Sequence, residues 1–209
     1  MGWDESQYGV GRSSKETSRP EASGVAPPCA NLRFMTKTVS NAEAPDNPFG
    51  LRKGEVAVDL PDRFDASLYF IGRIHTPWHS RDVCPKNGRE SDAVCTIELD
   101  ARWAEGLKGL ETVSHVLVLY WMDKARRDLL VQAPRHYAEQ RGTFALRSPV
   151  RPNPIAASVV KLVGLDGNKL SVIGLDCLDG TPLLDIKPYF ASTDAVPDAR
   201  VGWHADRQK

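Results

Sequence analysis

Over the second two-thirds of the chain, apolar residues fall into short runs rich in β-branched and aromatic side chains, with polar residues alternating between them. Seven runs have the length of strands: 68–75, 93–99, 115–121, 142–147, 156–163, 169–175 and 182–186. Between the fifth and sixth runs, Leu165-Asp-Gly-Asn-Lys169 carries the best hairpin signal, because a glycine turn there separates two β-rich stretches. Helical spacing is confined to 101–110, where Trp103, Leu107 and Leu110 share a face and Asp100 can cap the first turn. A second helix is expected over 123–132. Strands that close on themselves with one or two peripheral helices predict a mainly β fold, a small barrel or a sandwich.

Upstream of residue 67 the pattern weakens. Residues 1–34 are rich in Ser, Gly and Pro, and only Val10, Val25, Leu32 and Phe34 offer aliphatic or Phe side chains to a core. Such a segment cannot bury enough apolar area to offset the entropy of ordering it. Met35 is a second plausible start. Within the turn-rich 35–66, residues 55–60 alternate well enough for one short strand. The expected organisation is a mostly disordered or irregular tail over 1–66, a barrel domain over 67–203 and a C-terminal tail over 204–209.

Composition narrows the classes. With 209 residues, 41% hydrophobic and 26% charged, the chain has the balance of a globular domain. Its longest apolar runs, such as 116–122, are far short of the ~20 residues a membrane-crossing helix needs. No apolar segment follows a basic start at the N-terminus, so a cytoplasmic protein is expected. Twenty-seven basic residues against 27 acidic ones give no net charge. Nucleic-acid binding must then come from a local patch. Lys124, Arg126, Arg127, Arg135, Arg141, Arg147 and Arg151, against Asp128 and Glu139, form such a stretch with an excess of five positive charges. Cys29, Cys84, Cys95 and Cys177 lack CxxC spacing and read as free thiols, and no metal site is expected. Glycine-rich phosphate loops are missing, and no nucleophile elbow surrounds Ser148.

Two segments concentrate chemistry. In Arg147-Ser-Pro-Val-Arg-Pro-Asn-Pro-Ile155, three prolines fix three φ angles and stiffen a loop that presents Arg147, Ser148, Arg151 and Asn153. Guanidinium forks and an amide held at low entropic cost suit carboxylate, phosphate or a base edge. The second is Asp176-Cys-Leu-Asp-Gly-Thr-Pro-Leu-Leu-Asp-Ile-Lys-Pro-Tyr189, a tight turn between apolar strands. Asp185 and Lys187 flank Ile186 and share one face of a strand, which permits a charge pair.

Together with Ile71-Gly-Arg-Ile-His-Thr-Pro77 and Gly109-Leu-Glu-Thr-Val-Ser-His115, these segments resemble, in the same order, the TsaA-like family, whose studied members are tRNA methyltransferases (TrmO). The resemblance implies an S-adenosylmethionine-dependent, dimeric enzyme on a closed antiparallel β-barrel. It implies methylation of N6 of threonylcarbamoyladenosine beside the tRNA anticodon. Carried over by position, Pro85, Lys86, Asn87, Asp123, Lys124, Arg147, Leu178, Asp179, Gly180 and Thr181 would surround the cofactor. Lys86 and Asn87 stand where the family usually has Arg-Gln, Asp123 and Lys124 where many relatives have His-Gln, and Ala156 where a glycine is usual. Ser148, Arg151 and Asn153 would hold the substrate, with Asp185 as proton acceptor, Lys187 and Tyr189 orienting the reactants, and Asp179 the rival acceptor. The alternative is a non-catalytic barrel that binds S-adenosylmethionine or another nucleotide and regulates a partner.

Overall fold

The computed structural model describes residues 36–38, 50–63, 65–134, 137 and 139–207, within the unit that spans Phe34–Lys209. The tail expected over 1–34, and the alternative start at Met35, lie outside the described residues. Strands run in chain order as β1 (Thr36–Thr38), β2 (Val56–Val58), β3 (Gly72–His75), β4 (Val94–Leu99), β5 (His115–Trp121), β6 (Leu129–Gln132), β7 (Arg141–Gly142), β8 (Ile155–Asp166), β9 (Lys169–Ile173) and β10 (Thr181–Pro188). Six of them close an antiparallel barrel in the order β10-β3-β4-β9-β8-β5, with β5 pairing back onto β10. The expected mainly β barrel is thus the observed fold.

Alternation fills the barrel. Val116, Val118 and Tyr120 of β5 point inward opposite Val160, Ser158 and Ala156 of β8, and meet Ile74, Cys95, Ile97, Leu170, Val172 and Leu183 from the other strands. Each large aliphatic side chain buried in this way contributes ~1.5–3 kcal/mol. Asp166 lies opposite Lys169, so the β8–β9 hairpin turns on two residues, with Gly167 at φ 56° supplying the left-handed first position. In β10 the register shifts between Leu183 and Asp185, a bulge that keeps Leu183 inside and sends Asp185 outward.

The remaining strands form a second sheet, β1-β2-β6-β7. Here two sequence expectations fail. The helix expected over 123–132 is instead a turn after Met122 followed by strand β6, because Val131 and Leu129 pair with Val56 and Ala57 of β2. The strand expected over 142–147 is a short 3-10 turn, Thr143–Ala145, whose buried Thr143 hydroxyl donates to the Leu129 carbonyl at 2.7 Å. The helix expected over 101–110 is a 3-10 segment, Ala101–Leu107, that stops before Gly109, whose φ is 90°. Asp100 precedes it, but its side chain makes no capping bond; its carbonyl accepts from the Trp103 amide. The short strand expected over 55–60 is β2.

Glu55 is buried at the edge of this sheet, where its carboxylate accepts from Arg52 Nη2 at 2.6 Å and Nε at 3.0 Å. Beyond β10 the chain forms a four-residue helix, α1 (Ala191–Asp194), and a 3-10 turn at Gly202–Arg207.

Candidate active site

Strands β3, β5 and β9 end where β4, β8 and β10 begin, so one mouth of the barrel gathers the connections 76–93, 122–128, 143–154 and 174–180. Those connections carry every cofactor and substrate residue expected from the sequence, together with Thr181 at the start of β10.

The turn that leads into β10 is rigid. Asp179 and Gly180 donate their amides to the Trp78 and Ile74 carbonyls at 2.8 and 2.9 Å, and Thr181 Oγ1 donates to the Leu178 carbonyl at 2.6 Å. Gly180, at φ 76°, allows the reversal. The Asp179 carboxylate is engaged on both oxygens. Oδ1 accepts from the Thr76 amide at 3.1 Å and lies 3.5 Å from His75 Nδ1, while Oδ2 lies 3.7 Å from His79 Nδ1.

Beside Pro85, Lys86 and Asn87 are held by one carboxylate. Glu90 accepts from the Lys86 amide at 2.9 Å and from Asn87 Nδ2 at 2.8 Å, while Asn87 Oδ1 accepts from the Arg89 amide. Gly88 lets this loop touch the end of β9: a Cβ there would stand 1.9 Å from the Gly174 carbonyl oxygen.

The proline-rich loop is tied down from below. Buried Gln132 donates through Nε2 to Thr143 Oγ1 at 2.9 Å and to the Val150 carbonyl at 2.7 Å. Arg127 stacks over the Trp121 ring, 5.4 Å from its centroid, and donates to the Pro152 carbonyl and to Asn153 Oδ1. Arg147 donates to the Ala157 carbonyl at 2.9 Å, on the part of β8 that runs past the β9 ladder. Within the basic stretch, Arg126 makes a bidentate pair with Asp128 and Arg141 pairs with Glu139, while Arg135 lies outside the described residues. Arg126 holds the Asp128 carboxyl below its ordinary range. Lys124 and Arg151 make no such pair with any described residue.

One cluster escaped the sequence reading. On the inner wall of the mouth, the Tyr120 hydroxyl donates to Asp176 Oδ1 at 2.8 Å, and Ser158 Oγ lies 2.9 Å from Tyr120 Oη and 3.4 Å from Asp176 Oδ1. Burial, then the Asp176 charge, pushes the Tyr120 hydroxyl well above its usual range, which keeps it a donor. Cys84 Sγ donates to the Asp176 carbonyl at 3.2 Å. Burial also raises the Cys95 and Cys177 thiols, to about 11 and about 12. The sequence offers Tyr120 only as part of the strand run 115–121 and Asp176 only as the start of a motif, since nothing local brings the two together.

Asp185, Lys187 and Tyr189 are elsewhere. Lys187 Nζ lies 2.7 Å from Asp185 Oδ2 on the outer face, so the charge pair forms, and the Tyr189 amide donates to the His115 carbonyl at the far end of β5. At ~3.3 Å per strand residue, Asp185 is about 13 Å and Lys187 about 20 Å along β10 from Thr181. Within one chain these three residues and the mouth are separate.

A closed antiparallel barrel whose mouth is lined by a fixed turn, a braced cationic loop and a bonded carboxylate defines a barrel-type ligand-binding domain, unlike the doubly wound nucleotide folds. Residues 73–195 match the tRNA-methyltransferase O N-terminal domain, and the chain belongs to that family. It is 52% identical over 138 residues to a probable S-adenosyl-L-methionine-binding protein, VirR, of Rhizobium radiobacter, covering 66% of this chain and 79% of that one. It is 41% identical over 106 residues to the mouse tRNA (adenine(37)-N6)-methyltransferase, 49% of this chain and 24% of that one. The crystal structure of TrmO from Pseudomonas aeruginosa aligns with a TM-score of 0.56 and 38% identity, over 66% of this chain and 62% of that one. The chain thus spans less than two thirds of these last two proteins. Among the described residues, no helix is long and apolar enough to cross a membrane, and no group of three His, Cys, Asp or Glu side chains could hold a metal ion.

Proposed function

We propose that this protein is an S-adenosylmethionine-dependent methyltransferase that methylates N6 of threonylcarbamoyladenosine beside the tRNA anticodon, and that it works in the cytoplasm as a homodimer. The observation that carries this reading is the convergence, at one mouth, of three family-like stretches, the end of 71–77, the loop 147–155 and the turn 176–181. The donor set suits the cofactor: the Asp176 carboxylate and the cationic Lys124 and Arg147 lie on connections at the same mouth, and the Leu178–Thr181 turn and the 85–87 loop supply fixed peptide edges. Pro85, Lys86, Asn87, Asp123, Lys124, Arg147, Leu178, Asp179, Gly180 and Thr181 are the residues proposed to hold it. When bound, S-adenosylmethionine supplies an electrophilic methyl group on a sulfonium.

The chain's own residues have two further tasks. The carbamoyl group delocalises the N6 lone pair and acidifies its N–H, so a proton acceptor, a carboxylate or water, takes that proton as the N–methyl bond forms. Asp185 is the proposed acceptor, with Lys187 and Tyr189 orienting the base. Arg151, Asn153 and Ser148, on the braced loop, would hold the threonyl carboxylate or a neighbouring phosphate. Lys86, Arg89, Lys124 and Arg151, on the connections at the mouth, would meet the RNA backbone.

Asp185 reaches a mouth only if the site is shared. The outer face around Asp185 and Lys187 is apolar: Leu117, Leu119 and Trp121 of β5 lie beside the exposed Ile155 and Val159 of β8. A second copy packed on this face by a two-fold axis would cover it and bring each β10 end toward the partner's mouth. The test is methyl transfer from labelled cofactor to tRNA with and without the threonylcarbamoyl group, using wild type and the D185N and R151A variants. Transfer should require the modification and fall steeply in both variants. Equal labelling of unmodified tRNA would remove the substrate assignment, near-normal turnover in D185N would remove the base, and cofactor binding without transfer would leave the regulatory module.

A further inference from the structure

The interior of the barrel is apolar except at its mouth, where the Asp176 carboxylate meets Tyr120 and Ser158. Placing a carboxylate at the edge of such a core is costly unless its oxygens are bonded. Both hydroxyls engage Oδ1, and no described residue bonds Oδ2. Asp176 is half-buried, so this oxygen belongs to a side chain that a ligand in the mouth can reach.

The other acidic candidates are committed or misplaced. Asp179 is engaged by the Thr76 amide, His75 and His79, Glu90 closes the 85–90 loop, and Asp185 pairs with Lys187 on the outer face. Asp82, Asp92 and Asp123 are exposed on the mouth connections, and no bond among the described residues fixes their carboxylates. Lys124, Arg147 and Arg151, on the connections at the mouth, suit the carboxylate of an amino-acid tail. A zwitterionic tail also needs an anionic partner for its ammonium.

Resting on the cofactor reading above, the geometry points to Asp176 as the residue that receives the ammonium group of the cofactor's amino-acid tail, with Tyr120 and Ser158 as positioning residues that aim its free oxygen. A sulfonium has no N–H to donate, so a site built from directed hydrogen bonds discriminates in favour of the ammonium. The two hydroxyls fix the carboxylate rotamer before the ligand arrives, which lowers the ordering cost of binding.

The experiment is calorimetric titration of the full chain with S-adenosylhomocysteine and with its desamino analogue, which keeps the carboxylate and has hydrogen in place of the ammonium. Wild type should prefer the first by about tenfold or more, the range for a charge-assisted hydrogen bond. D176N should lose that preference by weakening the first ligand alone, with the analogue bound as in wild type. Equal weakening of both ligands would mean that Asp176 acts only through structure, and an unchanged preference would mean that the ammonium binds elsewhere; either result overturns the assignment. S158A and Y120F, which keep the packing, should reduce the preference several-fold, so a misfolded D176N leaves the inference open to refutation by an unchanged preference in both. Wild type that binds neither ligand would instead remove the cofactor reading itself.

Discussion

The mouth of the barrel and the outer end of β10 come from one continuous motif, yet they differ in almost every physical respect. At the mouth, Asp176 to Thr181 is fixed by backbone bonds to Ile74 and Trp78 and by buried hydroxyls. At the outer end, Asp185 and Lys187 form an exposed pair on a sheet face, bonded mainly to each other and to the neighbouring amide. The first region is pre-organised by the fold of one chain. The second has chemistry but no enclosure, so in the proposed dimer a partner subunit would have to make it part of a site.

The largest expected effect lies between the two regions. Leu183 is fully buried just before the bulge that separates them. L183A should cost ~2–5 kcal/mol of stability in urea unfolding, as for other buried leucines truncated to alanine. A loss under ~1 kcal/mol would mean that the bulge does not anchor the two halves. R147A should come next. It should weaken S-adenosylhomocysteine by ~1–3 kcal/mol with little change in unfolding, since its guanidinium is exposed and spans only to the Ala157 carbonyl.

K187M should separate stability from function. Both members of the pair are over two-fifths exposed, so solvent screens their attraction and the stability change should stay below ~1 kcal/mol. Turnover should nevertheless fall while cofactor affinity holds, which a single-turnover assay beside calorimetry would reveal. The smallest effect concerns thiols at the mouth. With Cys177 at about 12 and Cys95 at about 11, both side chains are essentially protonated at pH 8. Iodoacetamide should mark half-buried Cys84 ahead of these two buried thiols, as peptide mass spectrometry would show. Equal labelling of the three would contradict a closed barrel interior.

The sequence read the barrel better than its companion sheet, and the reason is range. His115–Trp121 announces itself by strict alternation, and Gly167 marks its hairpin locally. By contrast, Leu129–Gln132 is a strand because β2, more than 70 residues earlier, supplies its partner, and no local period records that. The same holds at the site. Motif order identified the segments at the mouth, but Tyr120 and Asp176 are 56 residues apart and Tyr120 and Ser158 are 38 apart. Their meeting follows from barrel closure. Motif continuity joins Asp185 to Asp179, whereas Asp179 sits in the turn before β10 and strand rise carries Asp185 about 13 Å beyond Thr181.

The central claim is that a complete site takes its mouth from one subunit and its β10 end from the other. Co-expression of R147A and D185N, each nearly inactive alone, tests it most directly through methyl transfer to threonylcarbamoylated tRNA. Random pairing makes half of the dimers mixed, and each mixed dimer has one intact site, so the account predicts recovery to about a quarter of wild-type activity. Folded, dimeric mixtures that show no more activity than either variant alone would contradict it.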